Sequence, residues 1–325
     1  MKMQFKALAL SLAALAAVPL IAATVPAQAP AGSFFSSAPQ LVNPEKAPIF
    51  AATLAGTRIV AVGDYGLINL SDDGQTFRQA KVPTRAPLTS VFFIDARQGW
   101  AVGHDGVVLG SSDGGESWQV LRDMRGKDQV LMSVWFENAE HGLAVGQFGL
   151  ALETRDGGKT WAERVLVDGE AGERHLLQLV PGAKGLLFVA AEAGTILRSE
   201  DAGAHWTAVQ TDNKGSFWTG EALADGNLLM AGMRGHVYRS TDRGRHWQEV
   251  PSGTQQSLTG IVQRGDGTVR IVGLGGVSLL SKDGGQHFEA TTRPDRAGMT
   301  AISRSTAGEV VFTASGTLIR ESLSQ

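Results

Sequence analysis

Ser111-Ser112-Asp113-Gly114-Gly115-Glu116-Ser117-Trp118 decides how the rest of the chain is read, because variants of it recur at nearly constant spacing. Full-length copies open at Thr154, Ser199, Ser240 and Ser281 and close at Trp161, Trp206, Trp247 and Phe288. A copy one residue shorter runs Ser71-Asp72-Asp73-Gly74-Gln75-Thr76-Phe77. The shared template is Ser/Thr-x-Asp-x-Gly-x-x-Trp/Phe. From Asp113 to Asp156, Asp201, Asp242 and Asp283 the steps are 43, 45, 41 and 41 residues. A period of this length means an array of supersecondary units.

One repeat shows what the unit is. Leu88-Thr89-Ser90-Val91-Phe92-Phe93-Ile94 is β-branched and aromatic, and Asp95-Ala96-Arg97-Gln98 is a polar turn. Gly99-Trp100-Ala101-Val102-Gly103 and Val107-Val108-Leu109-Gly110-Ser111 are apolar runs separated by His104-Asp105-Gly106. After the Asp-Gly-Gly turn, Trp118-Gln119-Val120-Leu121 makes a fourth. Short apolar runs bounded by Gly and Asp are strand signals. Four antiparallel strands in about 40 residues is one propeller blade. Blades begin near Ile49, Leu88, Leu131, Leu176, Phe217, Leu258 and Met299, so an all-β, seven-bladed β-propeller is expected over residues 48–325. The seventh unit ends before any Asp-containing turn and before a fourth strand. An open edge would leave unpaired backbone groups. Residues 32–47, and Leu41-Val42 in particular, are the expected outer strand of blade 7.

Within the motif, Asp73, Asp113, Asp156, Asp201, Asp242 and Asp283 are expected to accept backbone N–H bonds inside the turn, as Asp does in turn motifs. Trp118, Trp161, Trp206 and Trp247 open the outer strand and are expected to pack between blades. The carboxylates are too few and too close together for a calcium loop, and neither metal nor cofactor is expected.

Two lysines, Lys2 and Lys6, precede an apolar run from Ala7 to about Ala23, followed by small residues. This reads as a secretory signal peptide over residues 1–31, cut after Ala27 or Ala31. The rival reading, an uncleaved membrane anchor, needs a longer span without Pro19. The chain has no Cys, which excludes disulfides and thiolate chemistry. A formal charge of −3 without a basic excess argues against nucleic-acid binding. The mature chain is therefore expected to be exported, soluble and monomeric.

The motif resembles the Asp-box, or bacterial neuraminidase repeat. Gly99-Trp100-Ala101-Val102-Gly103-His104-Asp105-Gly106-Val107-Val108-Leu109 and His141-Gly142-Leu143-Ala144-Val145-Gly146-Gln147-Phe148-Gly149 are more specific. Together they look like the photosystem II assembly and stability factor family. That resemblance implies a seven-bladed propeller that binds and helps assemble a membrane protein complex without catalysis. Its place would be the periplasm, or the thylakoid lumen in a photosynthetic host.

Asp-boxes also occur in sialidase-like glycoside hydrolases, which makes such a hydrolase the alternative, with a glycan- or small-ligand-binding propeller as a third reading. A sialidase needs an arginine triad, an acid and a tyrosine nucleophile. Only Tyr65 and Tyr238 are tyrosines, and Thr84-Arg85-Ala86-Pro87, the nearest approach to an Arg-Ile-Pro signature, falls after the first box. No catalytic residue is assigned. The turns between second and third strands carry non-repeating residues: Asp64-Tyr65, His104-Asp105, Gln147-Phe148, Glu192-Ala193, Met233-Arg234 and Leu274-Gly275. Small polar residues would satisfy a purely structural turn. Aromatic, Met and Arg side chains at such tips point to a rim that contacts a protein client.

Overall fold

The computed structural model describes residues 37–322. Seven antiparallel sheets follow one another along the chain, each ordered from its first strand outward. In blade 2 these strands are Leu88–Phe93, Gly99–Gly103, Val108–Ser111 and Gln119–Arg122. The first strands of neighbouring blades pack on each other around a central channel, and that of blade 7, Met299–Ser305, packs on that of blade 1, Ile49–Ala55. The ring is a closed seven-bladed all-β propeller.

Second strands are the most deeply buried elements. Gly99–Gly103, Gly142–Gly146 and Leu187–Ala191 are buried at every position, because neighbouring blades cover both faces. This is why they read as unbroken apolar runs, as doubly covered strands do.

The Asp-containing turn is a hydrogen-bond unit. In blade 3, Thr154 Oγ1 bonds Asp156 Oδ1 (2.9 Å) and accepts the Gly158 N–H (2.9 Å). Asp156 accepts the Thr160 N–H on Oδ1 (2.8 Å) and the Thr160 hydroxyl on Oδ2 (2.6 Å). Where the chain has His instead, Nδ1 of His205, His246 and His287 takes the hydroxyl's place on Asp201, Asp242 and Asp283. The shortened copy keeps the plan, with the Gln75 and Thr76 N–H groups on Asp73 Oδ1. Where the motif ends in tryptophan, the indole closes the turn on itself. Trp118 Nε1 donates to Gly115 O, and Trp161, Trp206 and Trp247 repeat this on Gly158, Gly203 and Gly244.

The Thr160 hydroxyl, then its N–H, hold the Asp156 carboxyl down at about 2. The His205 N–H, then its imidazole, do the same for Asp201, also to about 2. A carboxylate whose folded pKa is depressed supports the fold above its unfolded value near 3.9 and loses that support as pH falls through its folded value. These turns should therefore add no slope to the thermal midpoint from pH 7 to about pH 5 and should lower it between about pH 4 and pH 2. An Asp156→Asn, Asp201→Asn variant should start lower and show a shallower acid slope in melts across that range. Parallel slopes for variant and parent would remove these turns as the source.

The turns also receive a latch from the preceding blade. The carbonyl just after the motif Asp accepts a side-chain N–H at five of the seven blade junctions. Arg58 Nη1 reaches Gly114 O (3.1 Å), Trp100 Nε1 reaches Gly157 O (2.9 Å) and Arg198 Nε reaches Arg243 O (2.8 Å). Arg239 Nε reaches Gly284 O (2.9 Å), and Arg320 Nε reaches Gly74 O (3.2 Å) across the junction of blades 7 and 1. Among the described residues blade 7 has no Asp turn to receive a latch from blade 6. There Glu309, with no side-chain exposure, accepts Arg264 Nε and Nη2 (both 2.7 Å) and Arg270 Nη1 (2.8 Å).

Ring closure differs from the sequence expectation. Among the described residues blade 7 has three strands, Met299–Ser305, Gly308–Thr313 and Leu318–Ser322. Leu41 and Val42 do not pair with its edge. The Leu41 N–H donates to Gln79 Oε1 (3.0 Å), and Gln79 Nε2 donates to Pro39 O (2.7 Å). The Ala38 N–H donates to Val82 O (3.0 Å), so residues 37–42 run along the outer side of blade 1. Pro39 has no N–H for a ladder, and the Gln79 amide supplies bonds that a neighbouring strand would otherwise make. Residues 32–36 of the expected closing segment, and the expected signal peptide over residues 1–31, lie outside the described residues. Blades 7 and 1 meet instead through Ile49, Ile59, Phe77, Val310 and Phe312, with the Phe77 and Phe312 rings edge to face at 5.9 Å.

Candidate functional site

Hydrogen bonds sort the loops onto two faces. The Gly114, Gly157 and Ala202 N–H groups donate to Arg97, Glu140 and Gly185 carbonyls, so Asp turns share a face with the first hairpin turns. On the opposite face each turn between second and third strands docks on the linker entering its own blade. The N–H groups of Asp64, His104, Gln147, Glu192, Met233, Leu274 and Ala314 donate to Pro48, Pro87, Val130, His175, Ser216, Ser257 and Gly298. One bond is repeated in all seven blades.

The second residue of these turns is held in the left-handed region. Tyr65 has φ 53°, Asp105 56°, Phe148 51°, Ala193 51°, Arg234 56° and Gly275 63°. Bulky side chains rarely adopt this conformation, which costs roughly 1–2 kcal/mol per residue without glycine. The third residue is glycine for a contact reason as well: a Cβ on Gly149 would lie 1.8 Å from Gly172 O. The backbone bonds on either side thus impose the bend, and the tip side chain projects from it.

The tip residues divide by what they touch. Tyr65 is 60% exposed and Phe148 78% exposed, and the hydroxyl of Tyr65 bonds no described residue. His104 and Arg234 are exposed, and the Arg234 guanidinium makes no hydrogen bond or ion pair with a described residue. Asp64, Asp105, Gln147, Glu192 and Met233 are half-buried. Asp64 Oδ1 is occupied by the Tyr65 N–H, and Glu192 Oε2 by the His175 N–H. Phe148 is positioned by His175, whose Nδ1 accepts the Phe148 N–H (2.9 Å) and whose ring meets the phenyl at 4.4 Å, nearly perpendicular. That bond needs Nδ1 unprotonated.

Two arginines of this face are committed to its framework. Arg122 Nη1 donates to Gly106 O and Nη2 to Gln129 Oε1. Arg174 bonds the Ala193 carbonyl, Thr195 and Gln210. Tyr238 is committed too. It is 2% exposed, its hydroxyl donates to Asp212 Oδ1 (2.7 Å), and its ring packs edge to face on Phe217. Burial, reinforced by the Asp212 hydrogen bond, raises its pKa.

The channel mouth on this face is a feature the sequence did not single out. In every blade the inner strand slips register at its second residue, leaving Phe50, Thr89, Met132, Leu177, Trp218, Thr259 and Thr300 bulged. All seven line a cavity of about 170 Å³. The threonine hydroxyls turn back to backbone: Thr89 to Leu131 O, Thr259 to Met299 O and Thr300 to Phe312 O. Phe50, Met132, Leu177 and Trp218 remain as an apolar collar.

Solved structures share this fold. A structure described as YCF48 bound to D1 peptide is 19% identical, covering 87% of this chain and 95% of its own, with a TM-score of 0.69. YCF48 from Cyanidioschyzon merolae is 17% identical, covering 87% of this chain and 97% of its own, at 0.67. Virginiamycin B lyase from Staphylococcus aureus is 11% identical, covering 87% of this chain and 97% of its own, at 0.72. At such identities the likeness shows the fold alone. No curated protein matches the sequence. Residues 123–320, well over half the chain and spanning four complete Asp turns, match the profile of the family described as photosynthesis system II assembly factor YCF48, and the chain belongs to that family.

Proposed function

We propose that this protein is an exported, non-catalytic scaffold that holds a protein client, a membrane protein or complex, by the face bearing the turn tips. The observation that carries the reading is the presentation of Tyr65, Phe148 and Arg234. Exposed side chains are kept at the equivalent tip position in three blades, in a backbone conformation that glycine or asparagine would adopt at lower cost. Tyr, Phe and Arg are the residue types enriched where proteins meet. Family membership and the peptide-bound relative support a polypeptide as the partner. Export rests on the charged start, apolar run and small residues of the N-terminal sequence. Among the described residues no helix is long and apolar enough to cross a membrane.

A Tyr65→Ala, Phe148→Ala, Arg234→Ala variant tests the face. Its melting midpoint should stay within the range of surface substitutions, about ±0.5 kcal/mol each. Capture of the client from detergent-solubilised host envelope should drop well over tenfold, because each anchor is worth roughly 2 kcal/mol or more. Equal capture by variant and parent would place the client elsewhere on the propeller.

A further inference from the structure

Glu221 has no part in the binding face. It is the fifth residue of the inner strand of blade 5, Phe217–Ala222, where the other blades carry Thr53, Phe92, Trp135, Val180, Val262 and Ser303. Its carboxyl accepts no hydrogen bond and forms no ion pair with a described residue. It lines a cavity of about 320 Å³ in the channel, together with Ser133, Gln178, Ser303 and Arg304. Glu221 is half-buried, and its desolvation in the channel pushes its pKa up to about 7, against the opposing pull of Arg304, the other charged residue lining that cavity. A carboxyl so placed is costly to ionise and gains from a bound cation.

The same channel begins at the apolar collar. The cavity of about 170 Å³ behind Phe50, Met132, Leu177 and Trp218 shares Ser90, Ser133, Gln178 and Ile302 with the cavity that holds Glu221. Thr89, Thr259 and Thr300 share this level of the channel with the four apolar side chains, so its mouth has both hydrocarbon and hydroxyl on its wall. Trp218 and Glu221 lie three residues apart on one strand, about 10 Å. The channel thus offers hydrocarbon contact at its mouth, neutral polar groups beyond it, and one unpartnered carboxyl. A single carboxylate is too poor a ligand set for a divalent metal.

We propose that the channel binds a protonated alkylamine, with its hydrocarbon stem in the collar of Phe50, Met132, Leu177 and Trp218 and its ammonium on the Glu221 carboxylate. The amine is either a free small molecule or a lysine side chain of a polypeptide. The site stands whether or not the turn tips hold a client, because a free amine can fill it alone.

Titration calorimetry and thermal melts at pH 8 with hexylamine, its neutral counterpart 1-hexanol, and the N-acetylated, C-amidated peptide Gly-Gly-Lys-Gly-Gly test this. Hexylamine should bind at least tenfold more tightly than hexanol, roughly the value of one charge-assisted hydrogen bond. Glu221→Gln should bring hexylamine down to the hexanol level without lowering the melting midpoint, and Trp218→Ala should weaken both probes. Lowering the pH from 8 to 6 should weaken hexylamine in the parent, as protons compete for the carboxylate, and leave the Gln variant unchanged. Binding by the peptide as well would mark a lysine side chain as the source, and binding by hexylamine alone a small amine. Equal binding of hexylamine and hexanol, or hexylamine binding undiminished in Glu221→Gln, would overturn the site.

Discussion

Replacing Glu309 with alanine should lower the unfolding free energy by about 3–5 kcal/mol, the cost of breaking a buried ion pair by removing one partner. Glu309 has no side-chain exposure and Arg270 only 6%, so the charges meet away from water. Burial opposes ionisation of Glu309, yet the hydrogen bonds of Arg264 and Arg270 hold its carboxyl below the ordinary value. Removing the carboxylate deprives Arg264 and Arg270 of a shared acceptor at the junction of blades 6 and 7. Urea unfolding of parent and variant, followed by tryptophan fluorescence, gives the comparison. A loss under about 1 kcal/mol would mean that blades 6 and 7 are joined mainly by apolar packing, such as that of Val272, Met299 and Ile302.

The second large effect is expected at Trp100. Its indole is 2% exposed, stacks on Phe136 at 3.5 Å with the planes 5° apart, and donates to Gly157 O. Trp100→Ala should cost about 3–5 kcal/mol, the usual range for deleting a large buried aromatic. Trp100→Phe keeps most of the stacked area and loses the latch, and should cost nearer 1 kcal/mol, the net worth of one hydrogen bond. If the two variants unfold at the same denaturant concentration, stacking contributes little and the hydrogen bond dominates.

The fold was legible because the Asp turn cannot be built from arbitrary residues. It needs a hydroxyl, a carboxylate two residues on, and a positive-φ glycine within the next two residues, such as Gly115, so six of the seven blades announce themselves. The latches were not legible, because they obey no single position. Third strands supply Arg198 and Arg239 immediately before the turn, and Arg320 in blade 7, but where that place holds Leu70 or Gly110 the second strand sends Arg58 or Trp100 instead. A function kept by two strands in turn leaves no period in the sequence. The path of Leu41-Val42 was not legible for a related reason. Leu41-Val42 is an apolar pair with no turn or pattern to fix its partner, and the structure leaves Val42 95% exposed.

The rim was legible and the collar was not. Tyr65, Phe148 and Arg234 stand out because they occupy tips where a small residue would do. Phe50, Met132, Leu177 and Trp218 read as ordinary strand residues. Only the bulge, which steps the alternation of sides by one residue, brings them to the channel mouth. Glu221 was hidden in the same way, since one acidic residue near a strand end looks like a solvated terminus until the ring encloses it.

The turn tips have one more consequence. The bond that seats each turn is made by the N–H of its first residue, and the sharp approach is met by the glycine in third place. The tip side chain is therefore uncoupled from both. Its identity can change without the ring having to repack, and a residue moved from one blade to another keeps the same backbone attitude, displaced around the circle, although Phe148 would leave behind the His175 ring it packs on. Exchanging Phe148 with Ala193 would carry the aromatic one blade along the rim. The face behaves as a set of interchangeable addresses, on which new partners could be met by altering single codons rather than by remodelling loops.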